Sequence, residues 1–380
     1  MSRTADILER LVAFPSVCRT PNGEIVAFCH DLLQAAGAAV TVLPGPEGDR
    51  ANLFATFGPP GVPGFILSAH LDVVPAGEGW SGDPFRLRRT GDRFVGRGAA
   101  DMKGFVACVL AGVADLPQDL ARPLHVALSY DEEIGCVGVP HMIERLPDLC
   151  AMPTACLVGE PSDLHPVLRH KGKVAGRITV RGRTGHSSRP DLADNAVHLA
   201  ADVIALIRDL GRDYGANGPF HPLFEPPAST LQVGIVSGGT GVNIVPDLCR
   251  LEWEARAVPG LDPMVILRAV EAGIAALLRP YEAAGRSLRA ACEITAAYPA
   301  LDLPDEAPLR YLAEGLSGQP ALGAVSYGTE AGLFQAAGIP SIVCGPGSIT
   351  QAHRPDESIG LGDLAACDAM LARLAATLVR

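Results

Sequence analysis

Short apolar runs bounded by turn residues recur along this chain of 380 residues. Four of them are Phe65–Ala69, Leu124–Ser129, Ala155–Val158 and Ser341–Cys344. A strand that is apolar along its whole length is typical of a parallel sheet covered on both faces. Helical patterns occur at about 2–14, 24–37, 102–115 and 139–146. The sequence therefore predicts an α/β fold in which helices flank a mostly parallel sheet.

The middle of the chain has a different pattern, because residues 174–181 alternate as a half-exposed strand does. The segments after it favour helix, strand, strand, helix and strand, in this order: about 195–210, 229–236, 248–257, 262–279 and 288–295. That order predicts a compact α+β sandwich. We expect residues 175–290 to form an inserted domain, and residues 1–174 with 291–380 to form a discontinuous first domain.

Composition excludes several classes of protein. The hydrophobic share of 48% and charged share of 19% exclude a disordered chain. The net charge of −11 disfavours nucleic acid as a partner, because phosphate binding needs concentrated positive charge. No apolar run approaches the ~20 residues that span a bilayer, and Asp6, Glu9 and Arg10 interrupt any N-terminal signal sequence. The ten cysteines form no C-x-x-C pair, so we expect free thiols in a soluble, cytoplasmic protein without a membrane partner.

Side chains of the kind that bind metals follow each of the four apolar strands. In chain order they are His70 with Asp72, Glu132 with Glu133, Glu160, and His353, and Asp101 lies at the entry to a helix. The carboxyl ends of parallel strands meet at one edge of a sheet, where ligands bind. Carboxylates gathered there would repel one another, and a pair of divalent cations removes that cost. Imidazole and carboxylate ligands without thiolate suit Zn²⁺ or Co²⁺, and Mn²⁺ is compatible.

Each feature taken alone also has an ordinary structural explanation. A histidine at a strand end is often structural, adjacent glutamates commonly lie in a solvated turn, and Asp101 could cap a helix. The prediction depends on all five segments converging at one sheet edge. Neighbours in an extended segment point in opposite directions. One of Glu132 and Glu133 can therefore bind metal while the other takes a proton from water, and the spacing leaves open which does which.

Five segments together resemble the M20 family of metallopeptidases and amidohydrolases. They are Ser68–Pro75, Gly96–Gly104, Asp131–Glu133, Gly159–Ser162 and Gly345–His353. Within that family, further segments are similar to the acetylornithine deacetylases: His170–Gly172, Gly185–Ser188, Gly328–Ala331, Gly345–Ile349 and Gln351–Glu357. The likeness covers almost the whole chain.

The resemblance implies a zinc-peptidase-like catalytic domain with two divalent metal ions, Zn²⁺ or alternatively Co²⁺. It implies one metal on His70, Asp101 and Glu160, and the other on Asp101, Glu133 and His353, so that Asp101 bridges. It makes Glu132 the general base and Asp72 a carboxylate that fixes the tautomer of His70. It also implies a cis peptide bond between Asp101 and Met102.

The resemblance further implies that the inserted domain is a lid that forms a homodimer. His186 would stabilise the oxyanion of the tetrahedral intermediate, in the same or the partner subunit. Asn243 and Arg256 would bind the substrate carboxylate, although many relatives have Asp where this chain has Glu254. The other implied substrate contacts are Gly328, Thr329 and Glu330.

The implied activity is hydrolysis of the amide bond of a small N-acyl amino acid. The expected substrate is N2-acetyl-L-ornithine, which gives L-ornithine and acetate for arginine biosynthesis. The alternatives within the family are succinyl-diaminopimelate desuccinylation, acetylcitrulline deacetylation and dipeptide cleavage. An alternative of another class is a relative that binds ligand without catalysis, and the presence of all the implied ligands and of Glu132 argues against it.

Overall fold

The computed structural model describes residues 2–117 and 119–379. The helices in chain order are α1 (Arg3–Ala13), α2 (Gly23–Ala35), α3 (Gly104–Gly112), α4 (Val139–Ile143), α5 (Leu146–Leu149), α6 (Ala196–Asn217), α7 (Pro263–Ala283), α8 (Pro308–Ser317), α9 (Ala331–Ala336) and α10 (Leu361–Thr377). The strands are β1 (Ala39–Pro44), β2 (Ala51–Phe57), β3 (Phe65–His70), β4 (Arg88–Thr90), β5 (Arg93–Val95), β6 (Leu124–Ser129), β7 (Ala155–Pro161), β8 (Arg169–His170), β9 (Gly172–Arg181), β10 (Gly185–His186), β11 (Thr230–Gly238), β12 (Ile244–Val245), β13 (Leu248–Ala257), β14 (Arg289–Tyr298), β15 (Leu301–Asp302), β16 (Ser341–Gly345) and β17 (Ser358–Gly360).

The described chain divides into two compact units. The first comprises residues 1–169, 301–325 and 329–380, and the second comprises residues 170–300 and 326–328. The expected boundary at residue 290 falls inside β14, which pairs with β9 along its length and so stays with the second unit. Local patterns do not reveal this pairing, because the two strands are far apart in sequence.

A six-stranded sheet in the order β1-β2-β6-β3-β7-β16 forms the centre of the first unit. Strands β6, β3, β7 and β16 run parallel, and they are the four apolar runs of the sequence. Every residue of β3, β6, β7 and β16 is buried. The predicted α/β fold with a mostly parallel sheet is confirmed. Strands β1 and β2 add an antiparallel edge that the sequence patterns did not predict.

Helices cover the sheet because they present apolar faces to it. In α1 the buried residues include Leu8, Leu11 and Val12, which lie at helical spacing. All but the last residue of α3 is buried, as is typical of a helix packed on several sides. The predicted helix over 139–146 is instead two short helices, α4 and α5. Pro147 lies in the first turn of α5, and proline cannot donate the hydrogen bond that would continue α4.

The second unit has its own antiparallel sheet, in the order β11-β13-β9-β14. Helices α6 and α7 pack against it, and Trp253, Val203 and Ile266 belong to its buried core. Alternate residues of β13 are buried, as the period of a sheet with one covered face requires. The predicted α+β sandwich is therefore present in the inserted part of the chain.

Candidate metal centre

The carboxyl ends of the parallel strands bring the predicted ligands together in the first unit. His70 is the last residue of β3, and Glu160 lies near the end of β7. Glu133 follows β6 after a short turn, and His353 follows β16. The strand order places these segments side by side, so the fold concentrates imidazole and carboxylate groups at one sheet edge.

Two groups of side chains there could each hold a metal ion. In the first, Nε2 of His70 lies 3.1 Å from Oδ1 of Asp101 and 3.7 Å from Oε1 of Glu160. In the second, Nε2 of His353 lies 3.2 Å from Oδ2 of Asp101 and 2.8 Å from Oε2 of Glu133. The ligand atoms within each group lie within 4.8 Å of one another. Asp101 belongs to both groups and directs one carboxylate oxygen to each histidine.

Asp72 faces Nδ1 of His70 with both its main chain and its side chain. Nδ1 of His70 lies 2.9 Å from the carbonyl oxygen of Asp72 and 3.5 Å from its carboxylate Oδ1. Both oxygens accept hydrogen bonds, so they favour a proton on Nδ1, and Nε2 is then the ring atom that would bind a metal ion. The implied role of the Asp72 carboxylate in fixing the tautomer of His70 stays a prediction. That carboxylate also accepts the backbone N–H groups of Glu132 at 3.1 Å and Glu133 at 3.2 Å, and it thereby holds the turn that carries both glutamates.

Glu132 and Glu133 have different neighbours. Glu133 contacts His353, whereas Glu132 belongs to neither ligand group among the described residues. The Cys136 thiol donates a hydrogen bond of 3.3 Å to Oε1 of Glu132. The sequence patterns gave no signal for this contact, because the left-handed backbone of Cys136, with φ of 57°, turns the chain back.

Burial and mutual repulsion change the acidity of the cluster. Burial and the charge of Glu133 raise the pKa of Glu132 to about 8, and burial and the charge of Asp101 raise the pKa of Glu133 to about 7. Burial likewise raises the pKa of Glu160 well above its usual value. Burial opposes ionisation of Asp101 too, but hydrogen bonds from His353 and His70 lower its pKa.

The donor set fits a pair of divalent cations. Several carboxylates crowd within a buried space, and cations offset the repulsion that holds their pKa values high. Each group supplies one imidazole nitrogen and two carboxylates, without thiolate, which suits zinc-like metals. The peptide bond between Asp101 and Met102 is cis, as the resemblance implied.

The predicted lid residues lie in the second unit. β10 and β12 pair so that His186 is opposite Ile244, and the Asn243 carbonyl accepts the Ser187 N–H at 3.1 Å. His186 and Asn243 are both exposed. Strand β10 and the residue directly before β12 thus carry the two side chains within one unit.

Arg256 lies on β13 among other polar groups of the second unit. Its guanidinium donates to the Tyr298 hydroxyl at 3.1 Å and lies 3.4 Å from Glu254. Gly328 packs against Tyr298 so closely that a Cβ there would come within 2.4 Å of the ring. The predicted roles of Arg256 and Gly328 in substrate binding stay predictions.

Thr329 and Glu330 are buried in the first unit, at 0% and 1% exposure. The Thr329 hydroxyl accepts the N–H of Ala331 at the start of α9. The Glu330 carboxylate accepts hydrogen bonds of 2.5 Å from Ser68 on β3 and 2.7 Å from Ser129 on β6. Both carboxylate oxygens are therefore engaged by strand residues, and contact of Thr329 and Glu330 with substrate stays a prediction.

Comparison with known proteins identifies the relatives of this fold and site. Residues 66–377 match the model of peptidase family M20/M25/M40. The chain belongs to this family. The M20 family is one of hydrolases that act on amide bonds, so the predicted enzyme class is confirmed, and membership implies binding of divalent metal.

Relatives of known name support the M20 assignment over more than nine-tenths of the chain. Acetylornithine deacetylase of Proteus mirabilis is 32% identical over 365 residues, covering 94% of this chain and 92% of that protein. Acetylornithine deacetylase of Vibrio campbellii is 33% identical over 360 residues, covering 93% and 92%.

Two crystal structures share the fold. The M20 family metallo-carboxypeptidase Sso-CP2 from Sulfolobus solfataricus superposes with a TM-score of 0.79 at 18% identity, covering 99% of each chain. Human carnosine dipeptidase 1 has a TM-score of 0.74 at 16% identity, covering 98% of this chain and 96% of that chain. In the described part of this chain, no helix combines the length and apolar character needed to cross a membrane.

Proposed function

We propose that this M20 metallo-amidohydrolase removes the acetyl group of N2-acetyl-L-ornithine, giving L-ornithine and acetate for arginine biosynthesis. The observation that carries the proposal is the pair of ligand groups that share Asp101, with Glu132 beside them in neither group. Similarity to acetylornithine deacetylases over 93–94% of the chain supports the choice of substrate.

His70, Asp101 and Glu160 would hold one metal, and Asp101, Glu133 and His353 would hold the other, with Zn²⁺ favoured and Co²⁺ the alternative. Bound metal would lower the pKa of a water molecule and polarise the carbonyl of the N-acetyl group. The carboxylate of Asp101 suits the bridging role because its two oxygens already face different histidines.

Glu132 acts as the general base and then as the acid. Its carboxylate takes a proton from the attacking water and returns that proton to the nitrogen of the leaving amine. The contacts support this role, because the Asp72 carboxylate fixes its backbone N–H and the Cys136 thiol orients Oε1. Glu133, by contrast, is held against His353.

The second unit supplies the groups that bind the rest of the substrate. Nδ1 of His186 accepts the backbone N–H of Ser188 at 3.2 Å, so in the neutral ring the proton is on Nε2. An exposed Nε2–H can donate to an oxyanion. Arg256 pairs with the substrate carboxylate, since its planar fork meets a carboxylate in two hydrogen bonds, and Asn243 adds a further donor.

We also propose that the protein is a homodimer formed through the second unit. Strand β11 is at one edge of its sheet, where unpaired backbone groups can join a second copy. Ile235 and Val236 on β11 are 58% and 56% exposed. We expect Ile235→Lys to shift the protein to monomer in light scattering, whereas Ile294→Lys on the opposite edge strand leaves the dimer intact. A dimer that survives Ile235→Lys would contradict this interface.

The thiols support a cytoplasmic location. All ten cysteines are free, and seven of them are buried. Free thiols persist in a reducing compartment, whereas oxidising compartments favour disulfides.

A substrate panel with metal-reconstituted protein tests the proposed reaction. N2-acetyl-L-ornithine, N-succinyl-diaminopimelate, N-acetylcitrulline and a dipeptide are compared by kcat/KM. We expect acetylornithine to give the highest value. If another member of the panel is turned over faster, the substrate is wrong and the amidohydrolase mechanism stands. Absence of turnover of every member would favour a ligand-binding relative without catalysis.

A further inference from the structure

The buried carboxylate of Glu357 contacts the backbone of Asp101, the aspartate shared by the two ligand groups. Glu357 itself belongs to neither ligand group of the described residues. Glu357 precedes β17 and is 0% exposed. Its Oε2 accepts hydrogen bonds from Nη1 of Arg97 at 2.8 Å and from the N–H of Gly98 at 2.9 Å. Its Oε1 accepts the N–H groups of Ala100 at 2.9 Å and Asp101 at 3.0 Å. Each oxygen thus accepts two hydrogen bonds, which satisfies the carboxylate within the protein.

The four donors come from one short segment that wraps around the carboxylate. Gly98 makes this wrap feasible, because it adopts φ of 79° and a Cβ there would approach Val73 to 2.6 Å. The segment ends at Asp101, whose own N–H is one of the donors. The contact therefore fixes the backbone of the residue whose two oxygens face His70 and His353.

Arg97 also donates hydrogen bonds to two other loops. Its guanidinium is 2% exposed, and it donates to the carbonyl of Ala76 at 3.0 Å and to that of Arg354 at 3.4 Å. Arg354 directly follows His353 in the chain. One buried ion pair thus connects the turn of Asp101 with the loop that carries the ligand at the far end of the sequence.

We propose that Glu357 is a positioning residue that sets the distance between Asp101 and His353 and thereby tunes the affinity of the metal centre. This inference rests on the proposed two-metal site, because it assigns a task to a neighbour of that site. The carboxylate is required because four donors face it. An amide would present NH₂ to two of them, and a donor cannot accept.

The test is metal affinity, measured on metal-free protein by competition between the enzyme and a fluorescent zinc chelator. We expect Glu357→Gln to weaken zinc binding about 10- to 100-fold, the range usual for partners of metal ligands. At saturating zinc we expect kcat to fall while KM for substrate stays within about twofold of wild type, because Glu357 does not face substrate. Glu357→Asp shortens the side chain by one methylene and should weaken zinc binding too.

A matched control is Asp194→Asn in the second unit. Asp194 is also a buried carboxylate, 0% exposed, and it pairs with Arg286 at 2.6 Å. We expect the control to lower the melting temperature without changing zinc affinity. If Glu357→Gln does not fold, Arg97→Lys is the second variant. It removes the guanidinium hydrogen bonds of Arg97 but keeps its positive charge, and Glu357 keeps its three backbone N–H donors. We expect the same loss of zinc affinity.

Folded Glu357→Gln or Arg97→Lys protein that binds zinc as tightly as wild type would overturn the inference. Failure of the proposed reaction gives a different result. Wild type would then bind zinc and hydrolyse no acetylornithine, and the two variants would still bind zinc more weakly than wild type.

Discussion

Glu132 and Glu133 show that side-chain contacts, more than sequence position, distinguish their tasks. The two residues share a turn whose backbone N–H groups are both held by Asp72. Oε2 of Glu133 faces His353, and Oε1 of Glu132 faces Cys136. The alternation of an extended strand predicted that the two would diverge, and it could not predict in which direction each would point.

Glu132→Gln should remove the proton carrier and leave the metal ligands in place. The amide is nearly the same shape as the carboxylate, and it cannot accept a proton at neutral pH. We expect kcat to fall by about 10² to 10⁴, the usual contribution of a general base. Metal analysis should still give close to two ions per chain. The exposed Glu144→Gln serves as the control and should retain full activity, and an active Glu132→Gln enzyme would refute the role given to Glu132.

Asp72→Asn should separate the two tasks of this residue. The substitution keeps the Asp72 carbonyl, which lies 2.9 Å from Nδ1 of His70 and is nearer to it than the carboxylate at 3.5 Å. The side chain, however, loses one of the two acceptors that hold the Glu132 and Glu133 amides. We expect a drop in kcat of about 10- to 100-fold with unchanged metal content. Asp83→Asn, an exposed residue whose carboxylate also accepts a backbone N–H, should have no effect. Loss of metal from Asp72→Asn would show that its carboxylate, and not its carbonyl, orients His70.

The candidate metal ligands were predictable from the sequence, because histidine and carboxylate residues follow apolar strands whose carboxyl ends meet at one edge of the sheet. The supporting contacts were not predictable. Glu357 lies far from Asp101 in sequence, and Ser129 lies far from Glu330, so no local period or motif connects them. The segment Gln351–Glu357 resembles the family, but this resemblance assigns no role to Glu357.

At the scale of the elements, the pairing of β2 with β6 places His125 opposite Thr56 in the interior of the first unit. Nδ1 of His125 lies 3.0 Å from the Thr56 hydroxyl, and the ring is 0% exposed. Burial lowers the pKa of His125 to about 4, from the usual 6.5. The folded protein therefore keeps this ring neutral at pH values where the unfolded chain protonates it.

This difference predicts a loss of stability in acid. The unfolded state binds one more proton than the folded state between about pH 6.5 and 4. As the pH falls from about 6.5 to 4, the free energy of unfolding should therefore decrease. This residue contributes at most about 1.4 kcal/mol per pH unit to the decrease. Urea unfolding of wild type and His125→Asn should show a smaller pH slope for the variant. His198→Asn, at an exposed site on α6, should keep the wild-type slope, and equal slopes for wild type and His125→Asn would contradict the prediction.

Elements that are apolar throughout were predictable from the sequence, and elements defined by pairing were not. The four parallel strands needed only their composition, and α6 and α7 needed only helical periodicity. Strand β1 is less uniform, because half of its residues are exposed, and β2 is buried after its first residue. Their place at the sheet edge follows from antiparallel pairing with each other and with β6.

At the scale of the whole molecule, the two units have separate hydrophobic cores. The candidate metal ligands all belong to the first unit, so metal binding should stabilise that unit directly. A ligand that binds only the folded state at 100 times its dissociation constant contributes about 2.7 kcal/mol. The second unit contributes none of the residues in either ligand group of the described chain.

Metal removal by a chelator should abolish activity and loosen the first unit. We expect hydrogen exchange to speed up around His70, Asp101 and Glu160, with little change in β9 and β13 of the second unit. Re-addition of Zn²⁺ should restore both protection and activity, whereas Mg²⁺, which prefers oxygen ligands, serves as the control and should restore neither. Equal exchange rates with and without chelator would contradict the proposed centre.

The ligand groups draw on a stretch of chain that runs from His70 to His353. During synthesis, the strand ending at His70 leaves the ribosome long before the loop that carries His353. The complete second unit is also translated in between. A chain released before His353 would lack one ligand of the second group, and it would also lack Glu357, which accepts the N–H of Asp101. The complete pair of groups is thereby reserved for molecules whose translation has almost finished.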